Sequence, residues 1–179
     1  FLQHIYRALR PGGRAAAVLP DNVLFESNVG TSIRRDLMEK CNLHTILRLP
    51  TGIFYAQGVK TNVIFLTKKS EERVGATEAV WFYDLRAQMP NFGKTRTLTT
   101  ADFEPFIAAY GDDPYGISPR VDEGEGGRFR KFTRDEIAFQ IRNVIVQEFS
   151  RIIAGSGIPV LDMAANTGDL GKLVAQAIE

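Results

Sequence analysis

Residues that build disulfides and metal sites are scarce in this sequence. It contains one cysteine, Cys41, and two histidines, His4 and His44, among 179 residues. A single cysteine excludes an intrachain disulfide framework and a cysteine-cluster metal site. The two histidines are far apart and lack the short spacing of metal ligands. We therefore predict no metal, and we expect Cys41 to be a small buried side chain at the end of a helix.

Long apolar runs and a strong excess of one charge are also missing. No apolar segment of the sequence is long enough to cross a membrane, so we expect no membrane partner and a cytoplasmic location. The apolar share of 44% and the charged share of 24% are typical of a globular protein. A formal net charge of +1 neither favours nor excludes nucleic acid, because a basic groove can exist within a neutral total.

The first residues predict an α/β unit. Residues 1–9 carry an apolar helical face, Pro-Gly-Gly at 11–13 ends it, and the apolar run 14–19 predicts a buried strand of a parallel sheet. We interpret 21–31 as a loop, followed by a helix over 33–41. Loops at the carboxyl ends of parallel strands line ligand crevices, so residues 20–26, with Asn22, are predicted to reach a ligand.

The centre of the sequence is the segment 43–67. Two runs rich in β-branched residues, 45–49 and 59–67, predict strands. The loop between them carries Phe54 and Tyr55 close to glycines that allow close backbone approach. Two interpretations stay open: the rings serve recognition on a loop held by a rigid sheet, or the hairpin folds them back into the core.

Further along the chain, the segment 78–85 predicts a third strand, placed in an antiparallel edge of a mixed sheet. Thr100 and Asp102 are expected to cap a short helix that ends at Tyr110. A loop rich in Gly, Pro and acidic residues follows. We therefore divide the chain into a sheet domain over 1–110, a linker over 111–132 and a helical extension over 133–179.

The basic run 128–132 alternates Arg or Lys with Phe. Such a run is able to contact phosphates and stack on bases. A solvated turn with both rings packed inward is the interpretation that we favour. Thr133 and Glu136 match a capping box for a helix that reaches about Ile153. The tail predicts a strand, a turn and a helix over 158–178, and an ordinary turn is its simplest interpretation.

Several runs, in this order and spacing, resemble the modification subunit of type I restriction-modification systems, within the adenine-N6 DNA methyltransferases. The resemblance covers residues 1–137. The matching runs are 9–25 (LRPGGRAAAVLPDNVLF), 33–37 (IRRDL), 46–54 (ILRLPTGIF), 58–65 (GVKTNVIF), 80–86 (VWFYDLR) and 110–119 (YGDDPYGISP). The agreement extends over most of the chain and does not depend on a single motif.

This resemblance implies part of a Rossmann-like methyltransferase sheet, mixed and with an antiparallel edge, followed by a helical extension. The family moves a methyl group from S-adenosylmethionine to the exocyclic nitrogen of adenine in DNA, after the base has left the stack. By similarity Phe54 lies in the segment that packs against the flipped adenine. We predict Phe54, Tyr55, Lys60 and Asn22 as residues that contact the target base or DNA. The family's partners are separate specificity and restriction subunits.

The sequence departs from the family pattern at two places. The catalytic tetrapeptide, Asn-Pro-Pro-Phe or Tyr, is absent, so no catalytic residue is assigned; by resemblance it belongs upstream of Phe1. The segment 162–170 resembles the family's donor-binding turn, which would make Asp162 and Gly168 cofactor-binding residues only in a permuted order.

Helical patterns at both ends of the sequence lead us to expect a piece of a longer protein, inactive by itself. Two alternatives are a non-catalytic piece that serves subunit assembly and a methyltransferase acting on another substrate.

Overall fold

The computed structural model describes residues 1–25, 29–54, 59–69, 75–87, 89–90, 92–134 and 136–137. Within this part of the chain, helices and strands alternate at first, and a short helical segment precedes the last strand. The elements are α1 (Leu2–Ala8), β1 (Arg14–Pro20), α2 (Asn22–Phe25), α3 (Val29–Lys40), β2 (Cys41–Arg48), β3 (Thr61–Lys68), β4 (Ala79–Asp84), a 3-10 turn (Thr100–Phe103), α4 (Glu104–Tyr110) and β5 (Phe129–Thr133).

The five strands form one mixed sheet in the order β1-β3-β2-β4-β5. β3 runs antiparallel to both β1 and β2, β2 and β4 are parallel, and β5 is antiparallel to β4. It follows that β1, β2 and β4 point the same way and end at one edge of the sheet. We call this side the carboxyl edge; β3 and β5 begin there.

Each face of the sheet carries its own hydrophobic core, because successive side chains of a strand point to opposite faces. One core joins the helices α1 and α3 to the sheet, with Leu2, Leu37 and Ile64 among its buried residues. The other lies under α4 and is largely aromatic, with Phe106 and Phe129 at its centre. Loops at the carboxyl edge are thereby supported from both faces.

The four strands predicted before residue 86 are confirmed, with corrections to their surroundings. β1 alternates exposed and buried residues and pairs antiparallel to β3, so the prediction of a buried strand in a parallel sheet was wrong. Its alanines and valine do not distinguish a one-sided strand from a fully buried one. The two central runs, predicted as strands over 45–49 and 59–67, form β2 and β3 and pair antiparallel. The third run, β4, pairs in parallel with β2, so the antiparallel edges are β1 and β5.

The helical predictions are confirmed in part. The segment predicted as a loop contains α2 and the first turn of α3, so the loop prediction was wrong there. Thr99, and not Thr100, forms the capping box of the 3-10 turn, since the backbone N–H and hydroxyl of Thr99 donate to Asp102 at 2.7 and 2.8 Å. Cys41 is buried as expected, but as the first residue of β2, and burial raises the pKa of its thiol to about 11.

The basic and aromatic run is a strand and not a turn. Phe129 is only 1% exposed, and Phe132 packs edge-on against Phe82 with 5.3 Å between ring centroids. Inward packing of both rings is thus confirmed. The sheet extends beyond the predicted sheet domain, because β5 begins within the predicted linker; the rest of the domain division stays a prediction.

After β5, the Thr133–Glu136 capping box is present, with hydrogen bonds of 2.7 and 2.8 Å. The helix predicted to reach Ile153 and the strand-turn-helix over 158–178 lie outside the described residues.

Candidate functional site at the carboxyl edge

A charged pair joins the ends of β1 and β4. The Arg86 guanidinium donates to both carboxylate oxygens of Asp21, with N–O distances of 3.0 and 2.6 Å. The Asn62 amide at the start of β3 donates to the same carboxylate at 2.7 Å. The side chains of Arg86 and Asp21 are only 13% and 23% exposed, so water screens this two-pronged pair weakly.

Arg86 also holds both ends of the loop that follows β2. Its Nε donates to the carbonyl oxygen of Leu49 and its Nη2 to that of Thr61, each at 2.8 Å. The backbone N–H of Leu49 donates to the Thr61 carbonyl at 3.0 Å, which closes the loop base. A single guanidinium therefore fixes the two residues that flank loop 50–60.

The Asp21 carboxylate is held in its ionised form. Partial burial acts to raise its pKa, but the hydrogen bond and charge of Arg86, with the hydrogen bond of Asn62, outweigh this effect and lower the pKa below its usual value. A carboxylate with a lowered pKa and a fixed cationic partner is a poor general base near neutral pH. Asp21 thus serves to position its neighbours.

The loop after β2 presents Phe54 to solvent. Phe54 is 50% exposed, at the rim of a groove of about 360 Å³ that is also lined by Ile53, Phe92, Arg96 and Phe103. Gly52 has a φ of +86°, and a Cβ at this position would collide with the carbonyl oxygen of Phe92. The glycine lets the loop pack directly on a neighbouring backbone, which supports the exposed ring.

The structure brings together some of the predicted site residues. Asn22 is exposed at the start of α2, and Lys60 is exposed just before β3. The backbone N–H of Asp21, the residue before Asn22, donates to the Lys60 carbonyl at 2.8 Å. Asn22 and Lys60 therefore belong to adjoining segments of the carboxyl edge. Tyr55, Asp162 and Gly168 lie outside the described residues.

Sequence reasoning missed the polar cluster of Asp21, Asn62 and Arg86. A signal was present, because each of these residues lies at or just beyond a strand terminus at one edge of the sheet. The rule that loops after parallel strands line a ligand crevice predicted a site after β1, but no site was predicted after β4. Recognising Arg86 required knowing that β4 lies parallel to β2.

The described part of the chain lacks two further features. It contains no group of three or more His, Cys, Asp or Glu side chains arranged to hold a metal ion. None of its helices combines the length and apolar character needed to cross a membrane.

The mixed sheet with helices on both faces is typical of Rossmann-like methyltransferase domains, and the polar cluster and the Phe54 loop lie at its carboxyl edge. The chain belongs to the N-6 DNA methylase family, whose model matches residues 1–152. The resemblance found from the sequence runs is confirmed by this match.

Among curated proteins, the chain is 62% identical over 129 residues to the type I restriction enzyme StySPI methylase subunit of Salmonella potsdam. It is 61% identical over 129 residues to the EcoKI methylase subunit of Escherichia coli K12. Each match covers 70% of this chain and 24% of the relative. The chain therefore spans about a quarter of the length of the curated relatives that it matches.

Solved structures agree with this assignment. The crystal structure of the EcoKI M protein superposes with a TM-score of 0.70 and 42% identity, over 89% of this chain and 44% of that one. A modification subunit of a type I restriction enzyme from Vibrio vulnificus gives a TM-score of 0.60 and 28% identity, over 76% of this chain and 27% of that one. The Rossmann-like α/β class is thereby confirmed.

Proposed function

We propose that this chain supplies the target-base side of a DNA adenine-N6 methyltransferase that works as the modification subunit of a type I restriction-modification system. The observation that carries the proposal is the half-exposed Phe54 ring on a loop whose two ends are fixed by Arg86. Family membership supplies the methyl-transfer chemistry. The reaction moves a methyl group to the exocyclic amine of adenine.

Phe54 acts as the stacking surface for adenine after the base has left the duplex. The base must be extruded before its amine becomes accessible, and an aromatic face compensates for part of the lost stacking. Arg86 and Asp21 position this ring by fixing the strand ends beneath it. Lys60 and Asn22, exposed on adjoining segments, contact the neighbouring DNA, and Tyr55 is proposed to assist Phe54.

S-adenosylmethionine is the proposed methyl donor. None of the described residues forms a site that we assign to the donor, and Asp162 and Gly168 lie outside them. No catalytic residue is assigned either, since the family's tetrapeptide is absent from the sequence.

The proposed partners are DNA and the specificity and restriction subunits of a type I system, in the cytoplasm. The curated relatives are named as subunits of type I restriction enzymes, which supports an assembly of several chains. In this assembly the sequence to be methylated is chosen by the specificity subunit. The present chain contributes base capture and part of the sheet.

Substitution of Phe54 by Ala in the complete gene product tests this function. Loss of base stacking is expected to lower methylation by roughly 5- to 150-fold, equivalent to about 1–3 kcal/mol, with donor binding unchanged. Methyl incorporation into duplex DNA and calorimetric titration of the donor measure the two effects. Phe54→Trp is the control and should retain most activity because it keeps an aromatic face. Unchanged turnover in the alanine variant would rule out the stacking role.

A further inference from the structure

A second pocket opens at the carboxyl edge, on the face of the sheet that carries α1 and α3. Its volume is about 450 Å³. Its apolar walls include Phe82 and Phe132, and three arginines line it: Arg48, Arg128 and Arg130. We call it the arginine pocket. It also contains Asp21 and Asn62, so it adjoins the cluster that anchors the Phe54 loop.

The positive charge of this pocket is only partly neutralised. Arg48 pairs with Asp84 at 3.0 Å, and Asp21 is taken by Arg86. Arg128 and Arg130 form no salt bridge with any residue that the structure describes. Neither guanidinium donates a hydrogen bond to a carboxylate of the described residues, although the charge of Arg130 helps to lower the pKa of Glu136.

These two guanidinium groups are held by rings and by backbone. Arg128 lies over the Tyr83 ring at 5.3 Å and donates through Nε to the Asp84 carbonyl at 3.2 Å. Arg130 lies over the Phe132 ring at 4.7 Å. The Glu123 carboxylate accepts from the backbone N–H groups of Arg128 and Phe129, at 2.6 and 3.1 Å, and does not line the pocket. Stacking on a ring limits the orientations of a guanidinium and leaves its donors able to bind an anion.

Resting on the function proposed above, we propose that the arginine pocket binds a backbone phosphate of the DNA duplex on one side of the target adenine. Guanidinium groups match the geometry of phosphate oxygens, and DNA presents a negative charge every ~1.7 Å along its axis. The pocket and the groove beside Phe54 lie on opposite faces of the sheet at the same carboxyl edge. In this proposal the duplex lies across that edge, with its extruded base at Phe54 and a phosphate at the pocket. Such a contact sets the register of the duplex and does not read its sequence.

The strand β5 provides a matched pair of variants. Arg130 and Lys131 are neighbours with the same charge, but they point to opposite faces, and Lys131 lies 6.0 Å from the Trp81 ring centroid, away from the pocket. The complete gene product is titrated with a fluorescent duplex at several salt concentrations. For Arg130→Gln, the slope of log affinity against log salt is expected to fall by about 0.9, as for one lost phosphate contact. Lys131→Gln should retain the wild-type slope.

Thermal melting shows whether Arg130→Gln is folded. If it is not, the variant Arg130→Lys still tests the proposal. Lysine retains the positive charge but lacks the planar guanidinium with its paired donors. The slope of log affinity against log salt should therefore persist, while the affinity for DNA drops several-fold. Equal slopes and affinities for the Arg130 and Lys131 variants would overturn the proposal. Weaker binding of partner subunits with unchanged DNA binding would also overturn it, in favour of an acidic protein partner. Failure of the proposed methylation function gives a different result from failure of the phosphate contact. In that case wild type and Lys131→Gln would both bind DNA without methylating adenine.

Discussion

At the scale of single residues, His44 shows how burial decides the chemistry of a side chain. It is 4% exposed and packs between the rings of Phe65 and Tyr110, at 6.4 and 6.1 Å. Its Nδ1 is 2.9 Å from the Thr45 hydroxyl, which also accepts from Arg120 at 2.9 Å. A neutral imidazole that carries its proton on Nε2 accepts the Thr45 hydroxyl hydrogen at Nδ1, and this arrangement is compatible with donation from Arg120 to the same hydroxyl oxygen.

Burial and the neighbouring cations keep His44 neutral over much of the acidic range. Burial is the main cause, Arg120 and Arg14 add to it, Asp113 opposes them, and together they lower its pKa to about 4. The unfolded chain, with a pKa of about 6.5, then binds the proton more readily. Stability contributed by the neutral histidine is thus present above pH 6.5 and is lost as the pH falls towards 4.

A pH series on the 179-residue chain tests this account. Between pH 7 and 4, the His44 effect is expected to lower the free energy of unfolding by on the order of 3 kcal/mol. His44→Gln should remove this part of the pH dependence, since glutamine does not titrate. His4→Gln is the matched control because His4 is exposed, and it should keep the wild-type profile. Denaturant unfolding at each pH measures all three proteins, and identical profiles for the two variants would contradict the assignment.

At the scale of elements, one side chain joins four strands. Arg86 follows β4, and its contacts reach the residue after β1, the residue after β2 and the first residue of β3. Strand ends are the places where sheet hydrogen bonds stop, so they fray unless side chains replace those bonds. The loop with Phe54 is precise because its base is fixed in this way.

Replacing Arg86 by Lys should loosen the loop base. A single ammonium group is unable to make both hydrogen bonds to the Asp21 carboxylate and also those to the carbonyls of Leu49 and Thr61. We expect the free energy of unfolding to fall by about 1–3 kcal/mol. Hydrogen exchange at the amides of Leu49 and Asp21 should accelerate, because their N–H groups donate to the Thr61 and Lys60 carbonyls at the loop base. Denaturant unfolding and exchange measured by NMR report the two effects.

Arg48→Lys is the control for this variant. The Arg48–Asp84 pair is much more exposed, with side chains 43% and 31% accessible, so its replacement should cost less than about 1 kcal/mol. An equal loss of stability in both variants would show that Arg86 has no special role at the loop base.

Local sequence predicted the helices and strands better than it predicted which of them lie next to each other in the fold. The capping box of Thr133 and Glu136 spans four residues, and β-branched runs marked β2 and β3, so short-range rules were sufficient. The contact between Arg86 and Asp21 joins residues 65 positions apart. No local pattern specifies such a pair, and the polar cluster was therefore missed although each member lies at or beside a strand end.

At the scale of the whole molecule, the donor site is the main difference between a target-base unit and a complete methyltransferase. The sheet and its carboxyl edge carry the proposed base contact. The predicted turn with Asp162 and Gly168 would complete the donor site only in a permuted order. The 179-residue chain and the complete gene product are therefore expected to behave differently towards S-adenosylmethionine.

Calorimetric titration of the 179-residue chain with S-adenosylmethionine distinguishes these cases. We expect no saturable binding, because no described residue forms an assigned donor site and the tail is interpreted as an ordinary turn. Saturable binding that Asp162→Ala abolishes would contradict this prediction and would place a donor site in the tail. Asp169→Ala is the matched control, since it removes a nearby carboxylate at a position that departs from the family turn.

The sequence by itself determined the family, the strands β1 to β4 and the position of Phe54 on a loop between β2 and β3. These properties depend on residue order and on short-range periodicity, which the chain displays directly. Only the tertiary structure decided that β4 lies parallel to β2, that Arg86 anchors the Phe54 loop, and that Arg130 and Lys131 face opposite sides of the sheet. These properties arise from contacts between distant segments, whose free energy depends on how the whole sheet assembles and is not contained in any single stretch of residues.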